Sequence, residues 1–154
     1  MAAKQIGKRS YQVSLEVREI AEKVIKSEKL NLGKARVEYI LVSPGISKRM
    51  AGRCIRSGSE LKFFSDFDYL VEISDDLWHL LPLEVKEHLV HHELKHVMIA
   101  LDKDGNEVYQ LQDHDVKDFA ELIERFGINW LSTVRSSMKS AYKLSPEDER
   151  KIRI

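Results

Sequence analysis

Five residues near the middle of the chain, His92-Glu93-Leu94-Lys95-His96, constrain its fold more than any other segment. They lie in a run, residues 83–101, whose apolar side chains recur at spacings of three and four, which predicts a helix. Residues four apart lie on one face of a helix, so His92 and His96 can both reach one metal ion. Glu93, about 100° further round the helix, would lie beside that ion, where it can take a proton from a bound water.

Two histidines with an adjacent glutamate in this spacing are typical of zinc-dependent hydrolysis of peptide bonds. The alternative is a charged helix that carries histidines by chance. That alternative stays open because His79, His88 and His91 lie close to the motif in sequence. The apolar spacing around the motif favours the metal site, and so does a further histidine, His114, at the start of another predicted helix.

A catalytic zinc usually has three protein ligands and one water, so a third ligand is expected. Asp102 is disfavoured, because a helix that continues through Leu101 would point it away from the face of the two motif histidines. His114 is predicted instead, since the intervening hairpin can fold back toward the ion. The carboxylates that stay open are Asp118 and Glu121 as ligands, and Asp115 or Asp118 as a hydrogen-bond partner of a ligand histidine.

The remaining histidines are assigned other roles. His88 lies one turn before His92, but His88 and His96 are two turns, about 12 Å, apart and cannot share one ion. His88 is therefore predicted to pack against neighbours or to support a ligand, and His91 to face solvent or cap the helix. No side chain stands out as an oxyanion stabiliser; Tyr109, His79 and the arginines are weak candidates.

The pattern along the chain predicts a mixed α+β domain. Helices are predicted at residues 11–30, 83–101, 114–126 and 132–142, and strands at 36–42, 50–56 and 67–73. Asp104-Gly105 predicts a hairpin turn between two short extended arms within residues 102–112. Gly52 indicates a bulge or a close approach in the second strand. The chain divides into a basic flexible tail (1–10), the domain itself (11–130) and a C-terminal helix and loose tail (131–154).

The length of 154 residues fits one domain with one core. Cys54 is the single cysteine, so a disulfide framework is excluded, and a small buried side chain is expected there. The longest apolar stretches are too short to span a membrane, and the first residues lack the apolar segment of a signal peptide. A reducing, cytoplasmic setting is expected.

The net charge of zero conceals an uneven distribution. Residues 31–64 carry seven Lys or Arg against two Asp or Glu, whereas residues 65–129, which contain the motif, carry five against sixteen. An acidic setting would attract cations and favour basic partners near the motif. In the basic segment a solvated strand face is favoured, and any contact with nucleic acid is expected to be weak. The residues that would make that contact are Lys48, Arg49, Arg53 and Arg56.

The order along this chain is strands, a motif helix with H-E-L-x-H-V, a hairpin, and then H-D-V-x-x-F at residues 114–119. In that order it resembles the putative phage metallopeptidase family, and more distantly the SprT-like zinc metalloproteases, over about residues 34–130. The resemblance implies a compact zincin-like domain with a small three-stranded sheet, flanking helices and zinc on His92, His96 and His114. It also implies that Glu93 is the general base and that the substrate is a protein or peptide.

The alternative function is a non-catalytic, zinc-containing module that grips nucleic acid or a protein through residues 31–64. Glu93 distinguishes the two functions, because a purely structural zinc site has no need of a base at that position.

Overall fold

The computed structural model describes residues 3–114, 125–127 and 129–153. The strands are β1 (Lys4–Ile6), β2 (Arg9–Val13), β3 (Val37–Ser43), β4 (Gly52–Arg56), β5 (Tyr69–Ser74), β6 (Val97–Leu101) and β7 (Glu107–Leu111). The helices are α1 (Leu15–Ser27), α2 (Ser59–Ser65), α3 (Asp75–Trp78), α4 (Leu83–Leu94), α5 (Asn129–Tyr142) and α6 (Pro146–Arg150). The architecture is therefore mixed α and β, as the sequence predicted.

In the described part of the chain, the main sheet has five strands in the order β1-β2-β3-β5-β4. The three strands predicted from sequence form one side of it, and β1 and β2 extend it, so the expected three-stranded sheet was too small. β3 runs parallel to β5, and every other neighbouring pair is antiparallel. β4 is consequently an edge strand of this sheet.

The first strands lie where a basic tail and the start of a helix were expected. β1 and β2 form a hairpin through Gly7, whose φ of +63° suits the tight turn that joins them. The helix begins at Leu15 and not at residue 11, because Ser14 caps it by accepting the backbone N–H of Val17 at 3.2 Å. The division of the chain into domains stays a prediction.

The core lies between the main sheet and the helices. α1 buries the apolar stripe predicted from its sequence and packs against α4 and β3. The fully buried side chains that fill the centre include Val17, Tyr69, Ile73, Leu77, Trp78, Leu89, Leu94 and Met138. Among the helices of the described residues, none has the length and apolar character needed to cross a membrane.

The motif helix is shorter than predicted. α4 ends at Leu94, and Val97–Leu101, which was expected to continue the helix, forms β6 and pairs with β7 in a two-stranded antiparallel sheet. The helix predicted for residues 114–126 lies mostly outside the described residues.

The C-terminal segment is more ordered than the expected loose tail. α5 begins at Asn129, slightly before the predicted helix, and α6 follows it. Beyond α6, Arg153 pairs with the backbone just before β4, so this end of the chain returns to the edge of the main sheet.

Candidate metal centre

The end of α4 positions the motif. His92 and Glu93 lie in the last turn of the helix and are fully buried, whereas His96 lies just beyond it and is partly exposed. The backbone N–H of His96 still donates to the carbonyl of Glu93 at 3.2 Å, which keeps the turn closed. The two motif histidines therefore remain neighbours, although only one of them belongs to the helix.

Three imidazoles converge at this point. One ring nitrogen each from His92, His96 and His114 can be chosen so that all three atoms lie within 4.8 Å of one another. The Nε2 atoms of His92 and His114 are 2.9 Å apart. Zinc–nitrogen bonds of about 2.0–2.1 Å in a tetrahedral site would separate the nitrogens by roughly 3.3 Å. The three rings therefore fit a single transition-metal ion after only small adjustments.

The orientation of His96 is fixed by Gln112, the residue that follows the second strand of the hairpin. Its Nδ1 lies 2.7 Å from the backbone carbonyl of Gln112, and a carbonyl oxygen can only accept, so this nitrogen carries the proton in the neutral ring. The lone pair is then left on Nε2, which is the tautomer that a metal ligand requires. The backbone N–H of Gln112 donates to the carbonyl of His96 at 2.7 Å, so the contact is made in both directions.

A buried tyrosine ties this hairpin to the main sheet. The hydroxyl of Tyr69, on β5, lies 2.7 Å from the carbonyl of Gln110 and 3.1 Å from that of Met98. Burial raises the pKa of this hydroxyl, so it stays protonated and able to donate. The hairpin begins just after His96 and leads to His114, and the tyrosine hydroxyl holds it against β5.

Glu93 packs against the start of β4. A Cβ atom added to Gly52 would lie 3.0 Å from Oε1 of Glu93, which shows how closely this carboxylate approaches the strand. Gly52 was expected from sequence to mark a bulge or a close approach, and a close approach is what it makes. Because Glu93 is next to His92 in sequence and touches β4, its carboxylate is held between the helix and the sheet edge.

The motif opens into a cavity of about 550 Å³. Glu93, His96 and His114 line it, so a carboxylate and two of the three imidazoles face the same space. The other described residues that line it are Met50, Gly52, Arg53, Cys54, Leu111, Gln112, Asp113, Leu131, Arg135, Arg150, Ile152 and Arg153. A carboxylate beside ligand-type nitrogens in an open cavity can accept a proton from a water and pass it on.

Two other histidines near the motif have packing roles. His88 stacks on Phe126 with ring centroids 4.3 Å apart, in line with the packing role predicted for it. His91 is only 3% exposed and lies edge-on to the same phenylalanine, so the prediction that it faces solvent was wrong, and the alternative that it caps the helix stays a prediction.

Two of the weak candidates for oxyanion stabiliser, His79 and Tyr109, lie elsewhere, whereas four arginines line the cavity. His79 is 63% exposed and pairs with Asp75 at 2.9 Å, and the hydroxyl of Tyr109 donates to Glu107 at 2.8 Å. That bond is the main reason why the pKa of Tyr109 is raised to about 12. Neither side chain lines the cavity.

The carboxylates weighed as ligands divide into two groups. Asp102 is exposed, and its Oδ1 accepts the backbone N–H groups of Asp104 and Asn106, each at 2.9 Å, so it shapes the tip of the hairpin far from the histidines. Asp115, Asp118 and Glu121 lie outside the described residues.

The basic residues before and within β4 do not form one free patch. Lys48 pairs with Asp148 at 3.1 Å, Arg53 pairs with Glu72, and Arg56 donates to the carbonyl of Tyr109. Cys54, between them, is partly buried against the core, and burial followed by the charge of Glu93 raises the pKa of its thiol. A thiol in that state is unreactive, as expected for a structural cysteine.

Sequence patterns did not indicate Arg135, Arg150, Ile152 or Arg153 as neighbours of the motif. The only available signal was helical spacing, which puts Arg135 one turn from Leu131. The return of the chain end to β4 depends on backbone pairing between segments a hundred residues apart, and side-chain patterns do not encode it.

Comparison with known proteins finds one family model that matches this chain. The family model described as putative phage metallopeptidase matches residues 9–142, which covers β2 to β5 of the main sheet, the motif and the whole of α5. No curated protein and no solved structure gives a significant match. A family of metallopeptidases and a cluster of three histidines both point to a metal ion as part of the site. Since the family model spans most of its length, this chain belongs to the putative phage metallopeptidase family.

Proposed function

We propose that this protein is a zinc-dependent metallopeptidase that hydrolyses peptide bonds in protein or peptide substrates. His92, His96 and His114 are its metal ligands and Glu93 is its general base. The observation that carries the proposal is the convergence of three imidazoles beside the Glu93 carboxylate at an open cavity. Membership of a metallopeptidase family supports it independently of that geometry.

The donor set favours zinc over other common ions. Magnesium and calcium prefer oxygen ligands, whereas imidazole suits zinc and its neighbours among the transition metals. Three histidines leave one position of a tetrahedral ion for water, which is the pattern of catalytic rather than structural zinc. Zinc bound there would supply a Lewis acid that lowers the pKa of a water and polarises the carbonyl of the substrate.

The residues of the chain supply the proton transfers. The Glu93 carboxylate accepts a proton from the attacking water and later delivers it to the leaving amine. Its close contact with Gly52 restricts its movement, so the base is positioned before substrate arrives. The bond from Nδ1 of His96 to the Gln112 carbonyl keeps that ring in the ligand tautomer throughout.

The edge of the main sheet offers a way to hold an extended substrate. The N–H of Ser57 donates to the carbonyl of Asp68, and the N–H of Ser74 donates to the carbonyl of Ala51. These bonds indicate that alternate residues along β4 direct their backbone groups toward β5. By that alternation the backbone groups of Gly52 and Cys54 point the other way, at the cavity. A peptide that adds to this edge as a further strand would pass the Glu93 carboxylate.

The test compares Glu93→Gln with Glu84→Gln, a matched control on the exposed face of the same helix. Glutamine nearly preserves the shape of glutamate but cannot accept the proton, so Glu93→Gln should keep its metal and lose hydrolysis by about 100-fold or more. The control should hydrolyse an unfolded protein substrate as wild type does. Metal content by elemental analysis, and activity before and after chelation and zinc readdition, complete the experiment.

Wild-type turnover by Glu93→Gln would remove Glu93 from the mechanism. Full metal occupancy with no hydrolysis in the wild type, on any unfolded protein, would instead favour the non-catalytic binding module.

A further inference from the structure

Positive charge predominates among the described residues that line the cavity beside the motif. Among the described residues that line it, four are arginines and two, Glu93 and Asp113, carry a carboxylate. This differs from the acidic surroundings expected from residues 65–129, because most of the acidic side chains of that block that the structure describes lie away from the cavity. The arginines are Arg53, Arg135, Arg150 and Arg153.

The four arginines are not equally available to a ligand. Arg53 is already paired with Glu72. Within residues 3–114, 125–127 and 129–153, Arg135, Arg150 and Arg153 have no carboxylate at ion-pair distance. Arg135 is the partly buried one of these three, whereas Arg150 and Arg153 are exposed. A charge that is partly removed from water interacts more strongly with a ligand than an exposed one does, so Arg135 is the strongest candidate for a binding residue.

The backbone of α5 fixes the position of Arg135. Trp130, Val134 and Met138 on this helix are buried in the core, which anchors it. Leu131, one turn before Arg135, also lines the cavity and packs on the core. The guanidinium is therefore presented from a rigid helix and not from a loop.

Backbone hydrogen bonds likewise hold the chain end that carries the other two arginines. The N–H of Arg153 donates to the carbonyl of Arg49 at 2.6 Å, and the N–H of Ala51 donates to the carbonyl of Arg153 at 2.9 Å. Ile152, which lies between Arg150 and Arg153 in sequence, packs against the core. Lys48 pairs with Asp148 on α6. Arg150 and Arg153 thus border the cavity from a segment that is attached to the edge of the main sheet.

We propose that this arginine wall, made of Arg135, Arg150 and Arg153, binds carboxylate side chains of the substrate, so that the enzyme selects peptides with Asp or Glu near the scissile bond. The inference rests on the proposed function, whose substrate class it specifies. Guanidinium groups match carboxylates in geometry as well as charge, and a Lys or Arg of a substrate would be repelled by the same wall. Arg135 is the principal specificity residue and acts on substrate binding, not on the proton transfers.

An acidic peptide fits the observations better than a nucleic acid does. The three arginines of the wall border a cavity of about 550 Å³ beside the Glu93 carboxylate, and this volume suits side chains better than a duplex. Two of the basic residues that could follow a phosphate backbone, Lys48 and Arg53, are already in ion pairs.

The test measures binding, so that it does not depend on turnover. Zinc-loaded Glu93→Gln protein is titrated into fluorescent peptides in which a single Glu is moved along six positions, each with a Gln-containing partner peptide. At one or two positions the Glu peptide should bind about 10- to 100-fold more tightly than its partner, as a charge-assisted hydrogen bond implies. Adding Arg135→Gln should remove most of that preference, and Arg135→Glu should transfer it to peptides with Lys.

Lys139→Gln is the matched control. It removes one positive charge from the same helix, one turn further on, at an exposed residue whose contact with Glu149 is 3.5 Å long. It should leave the preference for Glu within twofold of the parent protein.

Glu and Gln peptides that bind within twofold at every position, or fail to bind at all, would overturn the arginine wall as a specificity site. The proposed function is judged separately, by chelator-sensitive hydrolysis that Glu93→Gln abolishes. An oligonucleotide that binds more tightly than the best Glu peptide, and loses affinity in Arg135→Gln, would reassign the wall to phosphate and would also overturn the inference.

Discussion

Gly52→Ala tests whether the close approach of β4 positions the Glu93 carboxylate. The added Cβ would lie 3.0 Å from Oε1 and 3.4 Å from the carboxyl carbon of Glu93, and 3.2 Å from the backbone oxygen of Glu72. Favourable carbon contacts begin at about 3.5 Å, so one of these groups has to move by a few tenths of an ångström. The Glu72 oxygen belongs to a strand inside the main sheet, so we expect the Glu93 side chain to move.

The size of the effect follows from that displacement. A misplacement of about 1 Å at a catalytic group can lower the rate about 100-fold, so a shift of roughly half that size should lower kcat about tenfold. The φ of Gly52 is not in the left-handed region, so alanine can adopt its backbone conformation. Overpacking costs about 1–3 kcal/mol and the lower chain entropy of alanine offsets about 0.5–1 kcal/mol. The free energy of unfolding should therefore fall by no more than about 2.5 kcal/mol.

The assay measures kcat and KM on one peptide substrate, metal content and urea unfolding for wild type, Gly52→Ala and a control. Gly58→Ala serves as the control, because a Cβ there meets Glu60 Oε2 at an ordinary 3.8 Å. A wild-type kcat in Gly52→Ala would refute the idea that this contact positions the base. Loss of metal or of the folded state in Gly52→Ala would show that the glycine serves the structure and not the alignment of Glu93.

Three further predictions concern the ligands, the hairpin and nucleic acid. His114→Ala should lower the metal content from about one ion per chain to near zero, and elemental analysis that finds full occupancy there, with loss in Asp118→Ala, would move the third ligand. Tyr69→Phe removes the hydroxyl that ties the hairpin carbonyls of Met98 and Gln110 to β5, so urea unfolding should show a loss of about 0.5–1.5 kcal/mol, and no measurable loss would contradict the role of this hydroxyl. Binding of labelled single- and double-stranded DNA should be weak and should fall steeply between two salt concentrations, whereas tight, salt-resistant binding would mean that base contacts have been overlooked. The residues expected to make the phosphate contacts are Lys48, Arg49, Arg53 and Arg56.

The end of the motif helix shows where sequence patterns stop being informative. Leu94, Val97, Met98 and Leu101 fit helical spacing, but a short apolar run is equally compatible with a strand. Residues 97–101 form the strand β6 because they pair with β7. The apolar pattern within residues 97–101 does not show that pairing. The neighbourhood of His92 and His96 was predictable in spite of this error, because the backbone N–H of His96 still bonds to the carbonyl of Glu93 and completes the last turn.

The N-terminal strands were missed for a related reason. Tyr11 and Val13 fit the apolar stripe of the following helix, so the boundary at Ser14 was hidden, although serine before an apolar helical pattern is a recognised start signal. The central strands and the stripe of α1 were predictable because each alternates or repeats over many residues. The arginine wall was not, since it assembles from segments that only the tertiary fold brings together.

The two-way contact between His96 and Gln112 continues the register in which Val97 pairs with Leu111. That contact closes the hairpin at its base, next to the histidines, whereas the turn around Gly105 lies at the far, exposed end. A strand that slipped by one residue would turn its side chains to the opposite face and carry Gln112 away from His96. The tip, by contrast, can lengthen or accept an inserted tag without moving either histidine. The hairpin therefore separates a part that evolution or an engineer can vary freely from a part whose length is fixed by the cluster of three histidines.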